Sequence, residues 1–257
     1  MRKLILFVMV TLCGVAHAQT DDSLAVIPVD YAQIAAEVSN PTSPYYYPRL
    51  MGRYQRGDTT LTVDEFRYLY YGYPEQPGYK PLWTSPYADS LNRAFGKKTR
   101  LEAADYRRVA GFAHELLKDA PFSMRDLNVL AFAYQMLDEQ DKAAVQMYKI
   151  RGIMEAIRST GTGLSEESPW YIIYMNDAED LLNLMDVRFT KFIVLSSTVE
   201  YAPVYNMPNK KNKGYYFDYS EVYKRRPDYL DDLPKPKRKL EINPLYNPRS
   251  KQNILPK

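Results

Sequence analysis

Apolar residues recur at intervals of three and four from about residue 30 to residue 158, which predicts a succession of helices. Asp30 stands before a face made by Ile34 and Val38, with Gln33 completing an approximate capping box, and Asn40-Pro41 ends this first helix. Ser43-Pro44 reads as the cap and first residue of a second helix carrying Tyr47, Leu50, Met51 and Tyr54, which Gly57-Asp58 closes. Thr62-Val-Asp-Glu65 is a well-formed capping box ahead of Phe66, Leu69 and Tyr70. The prolines and glycines of residues 72–87 predict a long loop. Ser85-Pro86 opens a short helix to about Phe95, and residues 102–118 form a stronger one with Val109, Phe112, Ala113, Leu116 and Leu117 on its apolar face.

Two further helices follow. Leu127, Leu130, Ala131 and Tyr134 mark one, and Ala143, Met147, Ile150, Met154 and Ile157 mark the next, with a break at residues 138–141. Residues 103–158, with Pro121 between units, resemble a single tetratricopeptide-like helical hairpin. Three good copies at a 34-residue period are absent, so an ordinary helical hairpin fits equally well.

The pattern changes at Gly161-Thr-Gly163. Trp170–Met175, Phe192–Tyr201 and Tyr215–Tyr219 are short and rich in β-forming residues. A helix capped by Asn176 or Asp177 lies between the first two. The expected fold class is α+β: a mainly helical N-terminal part with the tetratricopeptide-like hairpin, then a small antiparallel β region of β-α-β-β order. The last two strands would form a hairpin around a loop at 208–214.

The ends of the chain differ from this body. Arg2 and Lys3, the apolar run Leu4–Leu12 and the small residues of Ala16-His17-Ala18 have the layout of a secretory signal peptide, cleaved between Ala18 and Gln19. The run is too short to span a bilayer, which takes about 20 apolar residues. Cys13 follows Leu12, not a small residue, so lipid attachment fits less well than release by cleavage. The organisation expected is a signal peptide at 1–18, a flexible leader at 19–28, one α+β domain at 29–223 (helical 29–160, β-containing 161–223), and a disordered tail at 224–257. That tail holds ten basic and four acidic residues and six prolines. The expected location is periplasmic or secreted.

Composition then narrows the chemistry. Cleavage after Ala18 removes the only cysteine and one of the two histidines, so disulfides, a cysteine nucleophile and a Cys/His zinc site are excluded. No metal and no cofactor is expected. Residues 19–223 carry a net charge of −5, which argues against a nucleic-acid footprint on the fold. No Gly-x-Ser-x-Gly elbow is present, and Gly161-Thr-Gly163 lacks the Gly-Lys-Ser/Thr ending of a phosphate loop. His114, beside an apolar stripe, reads as a boundary histidine. The acids Asp64/Glu65, Glu166/Glu167, Asp177 and Glu179/Asp180 could supply a hydrolytic pair, although adjacent acids at helix starts ordinarily stabilise the helix dipole. Twenty-four tyrosines are the most distinctive feature. Most fall at core spacing, but Tyr71, Tyr73, Tyr79 and Trp83, near or in the proline-rich loop, could line a groove for a sugar ring or an extended peptide.

Three segments carry a resemblance at family level: Tyr45-Tyr-Tyr-Pro-Arg-Leu50, Asp58-Thr-Thr-Leu-Thr-Val-Asp-Glu65, and Tyr70-Tyr-Gly-Tyr73 with Gln76-Pro77. With the Asp119–Leu130 helix junction, Gly161-Thr-Gly-Leu-Ser165 and Tyr215-Tyr-Phe-Asp218, they resemble an uncharacterised family of exported Bacteroidota-type proteins defined by a domain of unknown function. The resemblance spans roughly residues 29–220 and implies secretion and a shared fold. It implies no activity and no catalytic residues. The function expected is a non-enzymatic binding or scaffold role in the bacterial envelope, the partner being an envelope protein, a peptide or a glycan. The alternative is a carboxylate-dependent hydrolase acting on carbohydrate or peptide. The basic tail could add peripheral membrane contact.

Overall fold

The computed structural model describes residues 26–82, 85–96, 101–205 and 212–225. The proposed signal peptide with Ala18 and Gln19, the side chain of Trp83 and residues 226–257 of the basic tail lie outside the described residues.

Helix α1 (Tyr31–Ser39) begins where Asp30 Oδ1 accepts the Gln33 N–H at 2.9 Å, and it buries Ile34 and Val38. Helix α2 (Tyr47–Gln55) starts later than its sequence suggests, with Pro48 in its first turn. Ser43 is held in the preceding turn instead: its Oγ donates to Glu37 and accepts from the Tyr45 N–H, so it is not free to cap. Helix α3 (Val63–Gly72) has the full capping box, with Glu65 N–H on Thr62 Oγ1 at 3.2 Å and Thr62 N–H on Glu65 Oε2 at 2.8 Å. It continues to Gly72 and passes into a 3-10 turn (Tyr73–Glu75), so the expected loop begins later.

Helices α4 (Tyr87–Gly96), α5 (Ala103–Asp119), α6 (Met124–Met136) and α7 (Gln140–Arg158) pack each on the next, as short connections favour. Leu91, Val109, Ala113, Leu116, Leu130 and Ala133 form a small core between α4, α5 and α6. Helix α7 also lies on α3. At their crossing Gly152 faces the Phe66 ring so closely that a Cβ there would sit 2.3 Å from it.

The β region is an open, mixed sheet. Strand β1 (Trp170–Tyr171) leads to helix α8 (Asp177–Leu184), then to β2 (Arg188–Phe189), β3 (Ile193–Val194), β4 (Val199–Tyr205), β5 (Gly214–Asp218) and a short helix α9 (Ser220–Lys224). The order is β1-β5-β4-β2, and β3 also pairs with β4. Strands β4 and β5 form an antiparallel hairpin as expected, in register from Val199 opposite Asp218 to Pro203 opposite Gly214, but its first arm runs from Val199 to Tyr205 and so lies later than the expected Phe192–Tyr201.

Three details differ from the sequence pattern. Strand β1 runs parallel to β5, so the sheet is not purely antiparallel. Strand β1 also stops early, because the Ile173 N–H donates to the Tyr70 hydroxyl (3.2 Å) and the Tyr174 N–H to Asp177 Oδ2 (3.0 Å), drawing the chain off the sheet. Residues 192–201 are two strands, not one. The Leu195 N–H donates to the Val199 carbonyl (2.9 Å) and Ser196 Oγ accepts from the Val199 N–H (3.0 Å), which folds the chain back on itself.

The main core joins α1, α2, α3, α7, α8 and the sheet through aromatic residues. Trp170 stacks on Tyr215 at 4.8 Å and donates its indole N–H to the Gly161 carbonyl at 2.9 Å. Gly163, with φ of 67°, makes the turn beneath that ring, where a Cβ would meet the indole. Buried tyrosines bond to remote groups: Tyr54 to the Pro121 carbonyl (2.7 Å), Tyr71 to the Tyr171 carbonyl (2.9 Å), Tyr79 to the Ile173 carbonyl (2.6 Å) and Tyr70 to Asp177. These bonds let the core bury these four phenols without orphaning their hydroxyls, whereas the buried hydroxyls of Tyr31, Tyr47 and Tyr174 have no partner among the described residues.

Candidate functional site

Helices α2, α5, α6 and α7, with the 3-10 turn after α3, enclose an open cleft of ≈ 1000 Å³. Helix α7 contributes Lys142, Val145, Gln146 and Lys149, which recur at three- and four-residue spacing and so share one stripe. Helix α5 contributes His114, Glu115 and Lys118. Helix α6 contributes Leu127, Leu130 and Tyr134. Helix α2 and its end contribute Tyr47, Met51, Tyr54, Gln55, Arg56 and Gly57.

The charges in this cleft are unevenly partnered. Lys118 pairs with Glu115 at 2.7 Å and Lys142 with Glu139 at 2.6 Å. Lys149 is half-buried. Its Nζ stands 4.5 Å from the centre of the Tyr54 ring and meets no carboxylate among the described residues. Burial pushes its ammonium down to about 8. His114 bonds the Tyr134 hydroxyl at 2.7 Å, and its pKa is lowered, first by burial and then by the nearby Lys149. The Lys142 ammonium lies 5.3 Å over the Tyr134 ring. Tyr47, 6% exposed, also lines the cleft, and its enclosed hydroxyl has no hydrogen-bond partner among the described residues.

A smaller cavity of ≈ 250 Å³ lies where α4, α6 and α8 approach, with Ser85, Arg125, Asp126, Tyr174, Asp177 and Asp180 among its lining residues. Asp180 is bridged by Arg125 at 2.7 Å, yet burial raises its carboxyl to about 6. Asp177 is 1% exposed and accepts from the Tyr70 hydroxyl and the Tyr174 N–H. Burial, helped by the charge of Asp180, raises its carboxyl to about 7. Among the described residues no group of three or more His, Cys, Asp or Glu side chains is placed to hold a metal ion.

The structure distributes the sequence candidates differently from the expected groove. Tyr71, Tyr73 and Tyr79 are 0%, 6% and 9% exposed and belong to the main core. The Tyr71 and Tyr79 hydroxyls are tied to carbonyls, and the Tyr73 hydroxyl lies within 3.2 Å of the Gly78 carbonyl and 3.1 Å of the Asp119 carbonyl. They pack inward because α3 runs on to Gly72 and places Tyr71 on a buried helix, not in a loop. Of the three, Tyr73 lines the large cleft. Among the acids, Glu65 serves the capping box and an ion pair with Arg53, Asp64, Glu166 and Glu167 are exposed, and Asp177 and Asp180 are the pair that burial perturbs. Lys149 went unmarked in the sequence as a cleft residue, and Tyr134 was read only as part of the apolar face of its helix; the Lys142–Lys149 stripe, offset from the apolar face of α7, is the signal that points to Lys149.

A mainly helical α+β domain with a cationic, tyrosine-lined cleft is the class defined by this fold. Over residues 32–227 the chain matches the family described as "Domain of unknown function (DUF4919)", and it belongs to that family. No match was found to a curated protein or to a solved structure. No helix among the described residues is long and apolar enough to cross a membrane.

Proposed function

We propose that this chain is an exported, non-enzymatic binding protein whose α2–α5–α6–α7 cleft receives an extended peptide segment of an envelope partner. The observation that carries the reading is the cleft itself. Its ≈ 1000 Å³ is at the upper end of the range for ligand sites, about 300–1,000 Å³, and its wall mixes tyrosines, glutamines and cations. Export is supported by the charged, apolar and small-residue segments of residues 1–18. The tetratricopeptide-like reading of residues 103–158 is supported by the successive packing of α5, α6 and α7 around the cleft, a geometry that such repeats use for peptides. A peptide fits better than a sugar, because lysines lie over the faces of Tyr54 and Tyr134 where a sugar ring would stack.

A carboxylate-dependent hydrolase is the second reading, favoured by the raised Asp177 and Asp180. Against it, Asp177 is sealed from solvent and is occupied by Tyr70 and Tyr174, which supports a structural role.

The test uses a pool of short, N-acetylated, C-terminally amidated peptides of random sequence, added to the ¹⁵N-labelled protein and followed by NMR. Saturable perturbation of residues around Gln55, Tyr134 and Lys149 is expected. It should disappear in Gln55→Trp, which fills the cleft from an exposed position on α2. Perturbation scattered outside the cleft, or equal in Gln55→Trp, refutes the reading.

A further inference from the structure

The cleft is cationic on a body that is acidic. Arg56, Lys118, Lys142 and Lys149 line it against one carboxylate, Glu115, whereas residues 19–223 as a whole carry −5. Two of those lysines already have carboxylate partners, and Lys149 has none among the described residues. A half-buried ammonium without a counter-ion is unfavourable, and the Tyr54 ring beneath it compensates only in part. An anionic oxygen of a ligand in the cleft could accept from this ammonium and complete its pairing. Arg56, which also has no ion pair among the described residues, is exposed to water, so a carboxylate suits a site with one half-buried unpaired cation.

We infer that the cleft selects peptides bearing a carboxylate, with Lys149 as the counter-ion. The inference rests on the peptide-binding reading and adds a ligand chemistry to it. Near neutral pH Lys149 is still mostly protonated, so the charge is present when the ligand arrives. The carboxylate has two sources in a peptide, the chain terminus and an acidic side chain.

Three pools of short N-acetylated peptides separate these cases, titrated into the full chain by NMR. One has a free C-terminal carboxylate, one is amidated and neutral, and one is amidated with a fixed internal Glu. At least one carboxylate pool is expected to bind about tenfold or more tighter than the neutral pool. The preferred pool identifies the source. Lys149→Gln should abolish the preference, and Lys149→Arg, which keeps the charge, should retain it. Equal binding of all three pools at the cleft overturns the inference while leaving peptide binding intact. A preference that survives Lys149→Gln also overturns it. Failure of every pool to perturb the cleft refutes both this inference and the reading beneath it.

Discussion

Asp177→Asn offers a direct measurement of what burying this carboxyl costs. Burial raises Asp177 from the ordinary 3.8 to about 7. A displacement of that size corresponds to roughly 4 kcal/mol once the group is ionised in the folded state, and Asp180 sets part of it through its charge. The sign follows from proton binding. Between about pH 4 and about pH 7 the native carboxyl holds a proton that the unfolded chain has released, so stability falls as pH rises through this window. Asparagine does not titrate, and its side-chain oxygen can still accept from the Tyr70 hydroxyl and the Tyr174 N–H. The stability of Asp177→Asn relative to the unchanged protein should therefore rise with pH by up to roughly 4 kcal/mol, with a slope no steeper than about 1.4 kcal/mol per pH step, and flatten above about pH 8. His114 titrates in both proteins and drops out of the difference, whereas the part that Asp180 adds through its charge enters as Asp180 ionises near pH 6. Urea unfolding followed by far-UV circular dichroism at several values from about pH 4.5 to about pH 8.5 measures it. A difference constant to within about 0.5 kcal/mol would show that Asp177 is already ionised in the fold at mildly acid pH, and would refute desolvation as the dominant influence.

Two further expectations concern packing and titration. Gly152→Ala should destabilise by about 1–3 kcal/mol or more, since its Cβ would enter the Phe66 ring, while Gly111→Ala on the exposed side of α5, with nothing within 4 Å, should stabilise by about 0.5–1 kcal/mol; denaturant midpoints of the two variants test the contrast. Burial raises the phenols of Tyr70 and Tyr174 well above 10, so their contribution to stability is complete below about pH 10 and is lost as alkali ionises them in the unfolded chain; absorbance at the tyrosinate band should then rise together with unfolding for this group, and early ionisation in an intact fold would contradict it.

Local signals were legible where a side chain acts on its own segment. The Thr62–Glu65 box, the Asp30 cap and the helical stripes of α5, α6 and α7 all appear in the structure, and so does the β4–β5 hairpin. What sequence periodicity missed depends on partners far along the chain. Trp170–Met175 has strand composition, yet Tyr70 and Asp177 capture its N–H groups after two residues of pairing. Ser196 divides a stretch whose composition reads as one strand. Tyr71, Tyr73 and Tyr79 illustrate a sharper limit. A tyrosine's composition suits a wet surface and a bonded interior equally, and only the position of an acceptor carbonyl decides between them. Lys149 was hidden for the opposite reason, since a lysine three residues from Gln146 on a helix reads as solvated until the neighbouring helices wall it in.

The tyrosine bonds have a consequence for how the chain must acquire its shape. Tyr70 reaches Asp177, Tyr71 reaches the Tyr171 carbonyl and Tyr79 reaches the Ile173 carbonyl, each closing a loop of roughly one hundred residues. Such closures lose chain entropy before any contact rewards them, so they form late and together, and a topology rich in them folds slowly. They also make the change of pattern at Gly161 a poor place to divide the polypeptide. A fragment ending there would keep α1–α7 but leave three phenols without acceptors in its interior, and the segment beyond would lose the hydroxyl that receives its Ile173 N–H. The helical and β-containing stretches are therefore expected to unfold together.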